Sequence, residues 1–304
     1  MDAFAVMLTS NRPEFSAHRI NLLCQSDNVS TMKDVPTTVR SFPAAAVYNN
    51  TMFIIGIGKW FRDIWKYNFA SGWSKGGSLV QGRQHHCAEF LGETLYICGG
   101  FTPMFPSFLY LSGNGVLTNH VEAYNAVTEE SSGIGQLSIG VKWAACAAYK
   151  SSIYVFGGLD QGRKWLNCVQ VFNPVEQTCT LLSTPIPCPL ANIRALSWNA
   201  YAILLNSNTC FIFDFDSRTW EERKQLQMGA GSADFGIVLE NERIFIIDVS
   251  SLKAEMNDGQ HKCDIQYIKA SSILKDEAPK WRRPYGQLHP PCNVIAIPKM
   301  TLVK

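Results

Sequence analysis

The chain has 304 residues, 46% of them hydrophobic and 17% charged, with a net charge of +2. That composition supports a packed core and excludes a disordered chain, and the near-neutral balance argues against a general nucleic-acid surface, which needs a clearly basic domain. No apolar run reaches the roughly 20 residues of a membrane span, so no membrane partner is expected, and the first ten residues lack the basic segment of a signal peptide.

In chain order, the N-terminal part holds three strand-like runs, Ala3 to Leu8, Arg19 to Cys24 and roughly Val29 to Lys33. A unit over 37–80 follows, with Met52-Phe-Ile-Ile-Gly56-Ile57 after a polar turn at Asn49-Asn50, then Tyr67-Asn68 and Trp73. The unit over 81–138 repeats this plan with Leu95-Tyr-Ile-Cys-Gly99-Gly100 and Tyr124-Asn125. The third, over 139–186, is the most regular: Lys142 to Tyr149, a turn at Lys150-Ser151-Ser152, Ile153-Tyr-Val-Phe-Gly157-Gly158, then Phe172-Asn173-Pro174 and Thr180-Leu181-Leu182. The units over 187–229 and 230–289 keep the apolar runs Tyr201 to Leu205 and Ile244 to Val249 but lose the glycines. A single run, Cys292 to Pro298, stands at the C-terminal end.

Each run has strand length, is rich in β-branched or aromatic residues, and is bounded by turn residues. Four strands recur per unit. The aromatic anchors Tyr67, Tyr124, Phe172 and Phe213 lie 57, 48 and 41 residues apart. Repeats of this length signal stacked sheets that cannot bury their faces alone. One C-terminal strand, over 290–299, added to three N-terminal strands, over 1–36, makes one further unit and closes the ring, which removes exposed sheet edges. The expectation is a single all-β domain over 1–304, a six-bladed propeller of four-stranded antiparallel blades.

The ten cysteines show no Cys-x-x-Cys spacing and mostly fall within apolar runs, as reduced thiols of a cytoplasmic or nuclear protein do. Gly72-Trp-Ser74-Lys-Gly76 matches a hydrolase pattern but falls on an outer strand with no helix after it. Asp234-Phe235-Gly236 imitates a kinase motif without its companions. His85, His86 and Cys87 are consecutive, so neighbours on a strand point to opposite faces and do not converge on a metal. No cofactor, metal or catalytic residue is expected.

The Gly-Gly pairs at 99–100 and 157–158, Phe172-Asn173-Pro174 and the Phe213-Asp214 to Trp220 segment resemble the kelch repeat. Six blades sealed by a C-terminal innermost strand resemble the propellers of BTB-kelch proteins, the substrate-recognition subunits of cullin-3 ubiquitin ligases. The resemblance implies a protein that binds a substrate or degron, with cullin-3 held by BTB and BACK domains outside this chain. The alternatives are a kelch scaffold on actin and a propeller enzyme.

In a four-stranded meander, the loop leading into the first strand and the loop between the second and third lie on one rim. The first set carries Arg40, Arg83, His85, Lys142 and Arg194, with the arginines and Lys142 at equivalent positions. By the resemblance, these basic residues contact an acidic or phosphorylated peptide. The second set carries Trp60, Phe61 and Arg62, then Phe101, Phe105, Phe108 and Tyr110 in an unusually apolar loop, then Arg163, Lys164 and Trp165. Trp and Arg are the types enriched at binding hot spots. Trp73 and Trp220, on outer strands, are expected to pack between blades.

Overall fold

The computed structural model describes residues 4–11, 14–21, 29–31, 43–49, 51–58, 60–68, 71–103, 115–206, 209–223, 235–240, 242–248 and 264–275. Three N-terminal strands, β1 (Phe4–Asn11), β2 (Glu14–Asn21) and β3 (Val29–Thr31), form one antiparallel sheet. The first complete blade is β4 (Ala44–Tyr48), β5 (Thr51–Ile57), β6 (Asp63–Asn68) and β7 (Gly72–Ser78). The second is β8 (Cys87–Leu91), β9 (Thr94–Cys98), β12 (His120–Asn125) and β13 (Ser131–Gln136); its middle connection carries a hairpin of β10 (Phe101–Pro103) and β11 (Gly115–Leu117). The third is β14 (Ala145–Tyr149), β15 (Ser152–Phe156), β16 (Val169–Asn173) and β17 (Thr178–Leu181). The fourth is β18 (Arg194–Trp198), β19 (Tyr201–Leu205), β20 (Cys210–Asp214) and β21 (Thr219–Glu222). Of the fifth, β22 (Phe235–Glu240), β23 (Arg243–Asp248) and β24 (Asp264–Lys269) are described, followed by a one-turn helix, α1 (Ala270–Ile273). The strand expected over 290–299, and with it ring closure, lies outside the described residues.

The first strands β4, β8, β14, β18 and β22 lie beside one another in chain order. Small side chains permit this: Ala44, Ala45, Cys87, Ala88, Ala145, Cys146 and Ala195 line a central cavity of only about 20 Å³. That is room for about one water between these four strands.

Strand alternation makes each blade serve two seams. On β15, Ile153 and Val155 pack with Cys98, Val121 and Val141 of the second blade and its linker. Tyr154 and Phe156 point the other way, to Leu204, Phe211 and Phe213 of the fourth. Trp220 packs as expected, 4.6 Å from Phe213 and 6.0 Å from Phe156 across the seam between the fourth and third blades. Each large side chain fully buried in this way contributes about 1.5–3 kcal/mol.

The glycine pairs have a steric cause at the same seams. Gly99 and Gly157 have φ of +64° and +57°. A Cβ on Gly99 would lie 2.6 Å from the carbonyl oxygen of Val141, and one on Gly157 would lie 2.5 Å from that of Leu190. The second glycine then donates its N–H to the same oxygen, Gly100 to Val141 and Gly158 to Leu190, both at 2.7 Å. Gly56 meets the carbonyl of Arg83 in the same way, at 2.8 Å. The aromatic-Asn/Asp pairs work at the opposite rim. Asn125, Asn173 and Asp214 each accept main-chain N–H bonds two and three residues on, closing the turn between third and fourth strands.

Two alanine substitutions separate sterics from backbone preference. Gly92 also has positive φ (+63°), but nothing lies within 4 Å of its would-be Cβ. Gly92→Ala should cost about 1–2 kcal/mol for the left-handed conformation alone. Gly157→Ala should cost at least about 2 kcal/mol more, because a backbone carbonyl at the seam must move. Denaturant midpoints measure both; equal losses would contradict the seam explanation.

Candidate functional site

The loops leading into first strands and those between second and third strands share one rim, as the meander requires. Three residues two positions before the first strand, His85, Trp143 and Asn192, adopt φ of +55°, +57° and +55°. Their backbones are linked from one blade to the next: Trp143 N–H donates to His85 O at 3.1 Å, and Asn192 N–H to Trp143 O at 2.9 Å. Left-handed conformations cost a non-glycine residue about 1–2 kcal/mol, and these hydrogen bonds hold them in place.

A cluster follows from that geometry. The indole Nε1–H of Trp143 donates to Nδ1 of His85 at 2.6 Å, and the rings meet edge-on at 5.3 Å. Because His85 accepts at Nδ1, its own proton sits on Nε2. Lys142 Nζ lies 4.6 Å from the Trp143 ring centre and 5.4 Å from that of Phe101, within cation–π range. Burial, then the neighbouring Arg163, holds Lys142 below the ordinary lysine value. Arg163, Lys164 and Trp165 are exposed beside it, on a tight turn fixed by Asp160 Oδ1, which accepts the N–H of Lys164 at 2.8 Å.

The exposed large apolar side chains favour this rim. Trp60 (42% exposed), Trp143 (38%) and Trp165 (53%) all lie on it, with Val80 and Val116. On the opposite rim only Val127 and Val175 are comparably exposed among the described residues. Exposed tryptophan is costly to leave in water and is characteristic of binding patches. Between the second and third blades the rim is cut by a groove of about 380 Å³, walled by Val116 and Leu117 on one side and by Asp160, Gln161 and Gly162 on the other.

The structure corrects three of the expected contact residues. Arg83 has no exposed surface and forms a buried ion pair with Glu122. Its guanidinium also donates to the carbonyls of Gly99 and His120 at 3.1 and 3.0 Å and, from Nε, to that of Gln81 at 3.2 Å. Glu122 in turn accepts the N–H groups of Val80 and Gln81 at 2.7 and 3.0 Å, so the pair clamps the linker between the first and second blades. Phe61 is buried. Arg194 is also buried, inside β18, where it donates to Asn192 and Ile193 O. The supposed equivalence fails by register. Arg83 lies four residues before its first strand, as Val141 and Leu190 do; Lys142 lies three before, and Arg194 is the first strand residue itself. Arg40, Phe105, Phe108 and Tyr110 fall outside the described residues. Arg62 anchors the linker through Nε to Leu79 O at 2.8 Å and remains exposed.

Trp143, beside Lys142 on this rim, was not among the expected contact residues, and the groove was not foreseen. A tryptophan placed before a strand of small residues was the available signal for the first; the groove depends on how two blades meet. No group of three or more metal-ligating side chains converges among the described residues. The seven described cysteines are free thiols. No described helix is long and apolar enough to cross a membrane.

The kelch motif matches residues 144–186. Kelch-like protein 25 of Xenopus tropicalis is 24% identical over 62% of this chain and 33% of its own length. Human kelch-like protein 23 is 25% identical over 60% of this chain and 31% of its own. Alpha-scruin of Limulus polyphemus is 21% identical over 59% and 20%. The matched region thus spans a third or less of these relatives. The solved structure of YjhT superposes with a TM-score of 0.61 at 15% identity, over 78% of this chain and 84% of that one, a likeness of fold.

Glu122→Ala should destabilise by about 3–5 kcal/mol, since it leaves the Arg83 charge buried and unpaired; chemical denaturation measures it. His86 is buried, and burial, then the Arg83 charge, pushes it down to about 3. Burial, then Lys142, pushes His85 down to about 4. Both stay neutral while the unfolded chain takes up protons, so their contribution is complete above about pH 6.5 and is lost as pH falls toward those values. His86→Gln should flatten the fall of the melting temperature between pH 6.5 and 4; an unchanged slope would remove His86 as its source.

Proposed function

Starting from a kelch-repeat propeller that resembles kelch-like proteins, we propose that the chain binds a protein partner on the rim formed by Trp60, His85, Phe101, Lys142, Trp143, Arg163, Lys164 and Trp165. The observation that carries this is the concentration of exposed tryptophans on one rim, beside cations with no ion-pair partner among the described residues. Tryptophan supplies apolar area at low entropic cost, and unpaired Lys and Arg select an acidic or phosphorylated segment.

In the fuller reading, the bound protein is a substrate presented to a cullin-3 ubiquitin ligase through domains outside this chain. Similarity to kelch-like proteins supports it. The propeller performs no chemistry in that scheme; it raises the effective concentration of substrate lysines near the ligase. A kelch scaffold on filamentous actin is the second reading, favoured by the similarity to alpha-scruin.

The test is co-purification from cells of the full-length protein, wild type and Trp143→Ala/Trp165→Ala. Cullin-3 should be retained by both, and a partner whose abundance rises on proteasome inhibition should be retained by the wild type alone. Absence of cullin-3 together with co-sedimentation with filamentous actin would replace the ligase reading with the scaffold one. Retention of every partner by the double variant would move the site off this rim.

A further inference from the structure

The hairpin β10–β11 ends in an edge that the blades leave open. Phe101 uses both its N–H and its C=O on Gln84, at 2.8 and 3.0 Å. Its cross-strand partner is Leu117, so Phe101 and Leu117 form a non-hydrogen-bonded pair, and the N–H and C=O of Leu117 face away from β10. Two residues earlier on the same strand, Gly115 faces the same way. Leu117 N–H is met by a side chain of the next blade, Gln161 Oε1, at 2.9 Å. Among the described residues no backbone pairs with this edge.

That edge forms one wall of the 380 Å³ groove. The opposite wall, Asp160 to Gly162, belongs to the compact turn held by Arg163 N–H to Asp160 O (3.1 Å) and Asp160 N–H to Lys164 O (3.0 Å). An exposed edge beside a groove is the setting for strand addition, where main-chain bonds give affinity and alternate side chains give specificity. The Gln161 amide occupies the place of an incoming carbonyl. Lys142, Arg163 and Lys164 flank the turn against the one carboxylate of Asp160, so the local balance favours an acidic strand.

We propose that the outward edge of β11 takes an extended acidic peptide of a partner protein, which pairs with Gly115 and Leu117 and displaces Gln161. This rests on the rim reading above and adds how the partner is held: as an extra strand, with Trp143 and Trp165 beside it.

The probe is a displayed library of random short peptides selected on the chain, the enriched sequences then resynthesised with a fluorophore. Enriched peptides should be acidic. Methylation of backbone nitrogens should weaken binding roughly tenfold at alternate positions and hardly at all between them, since each lost main-chain bond leaves a group unpaired. Gln161→Ala, an exposed change, should tighten binding by removing the competitor. Peptides that need Trp143 and Trp165 but show no alternation and ignore Gln161→Ala would overturn strand addition and leave the rim reading standing. Peptides indifferent to all three residues would overturn both. A library with no enrichment, a synthetic 104–114 peptide that binds best, or concentration-dependent dimerisation blocked by acidic peptides would each assign the edge otherwise and end the proposal.

Discussion

The architecture depends on how closely one blade's backbone approaches the next. Gly100 and Gly158 each donate a 2.7 Å hydrogen bond to the carbonyl of the incoming linker, and Gly99 and Gly157 leave no space for a side chain against that same oxygen. With the seam this tight, small side chains of four first strands meet at a narrow cavity, and large side chains fill the wedges between neighbouring blades. The rim is the product of that constraint. Linkers pulled against the preceding blade turn sharply, and the turn places His85, Trp143 and Asn192 in the same left-handed conformation.

The fold was legible because its rules are local. A Gly pair after an apolar run, an aromatic-Asn pair and a polar turn each have one dominant backbone meaning. Four-stranded antiparallel sheets form from the repeating runs at 87–136, 145–181 and 194–222. The site was less legible because it turns on register. Lys142 and Arg83 both precede a first strand and differ by one position in their distance from it. That one step is the difference between a cation on the rim and a cation sealed in a seam. Phe61 has the same ambiguity: beside two side chains that reach solvent, it folds inward at φ +54°. The groove was invisible because no single blade contains it; Val116 and Gln161 are 45 residues apart.

The rim combines two demands that usually conflict. A binding surface benefits from exposed aromatic and cationic groups, whereas a stable rim buries or pairs them. Here the same residues do both. Trp143 satisfies its indole on His85 while keeping over a third of its surface open, and Lys142 rests on aromatic faces in place of a carboxylate. The surface is held in position before any partner arrives, which limits the ordering cost of association.

The linker clamp has a consequence for how the sequence can drift. In the third blade the residue aligned with Glu122 is Gln170, which holds Ile139 by both main-chain groups, at 2.8 and 3.1 Å, and carries no charge. A neutral clamp can be exchanged one residue at a time. The Arg83–Glu122 clamp cannot, because either change alone strands an ion in the protein interior. These two positions are tied in inheritance: descendants of this chain are expected to keep both residues or to lose both, whereas a change at position 170 costs hydrogen bonds but strands no charge.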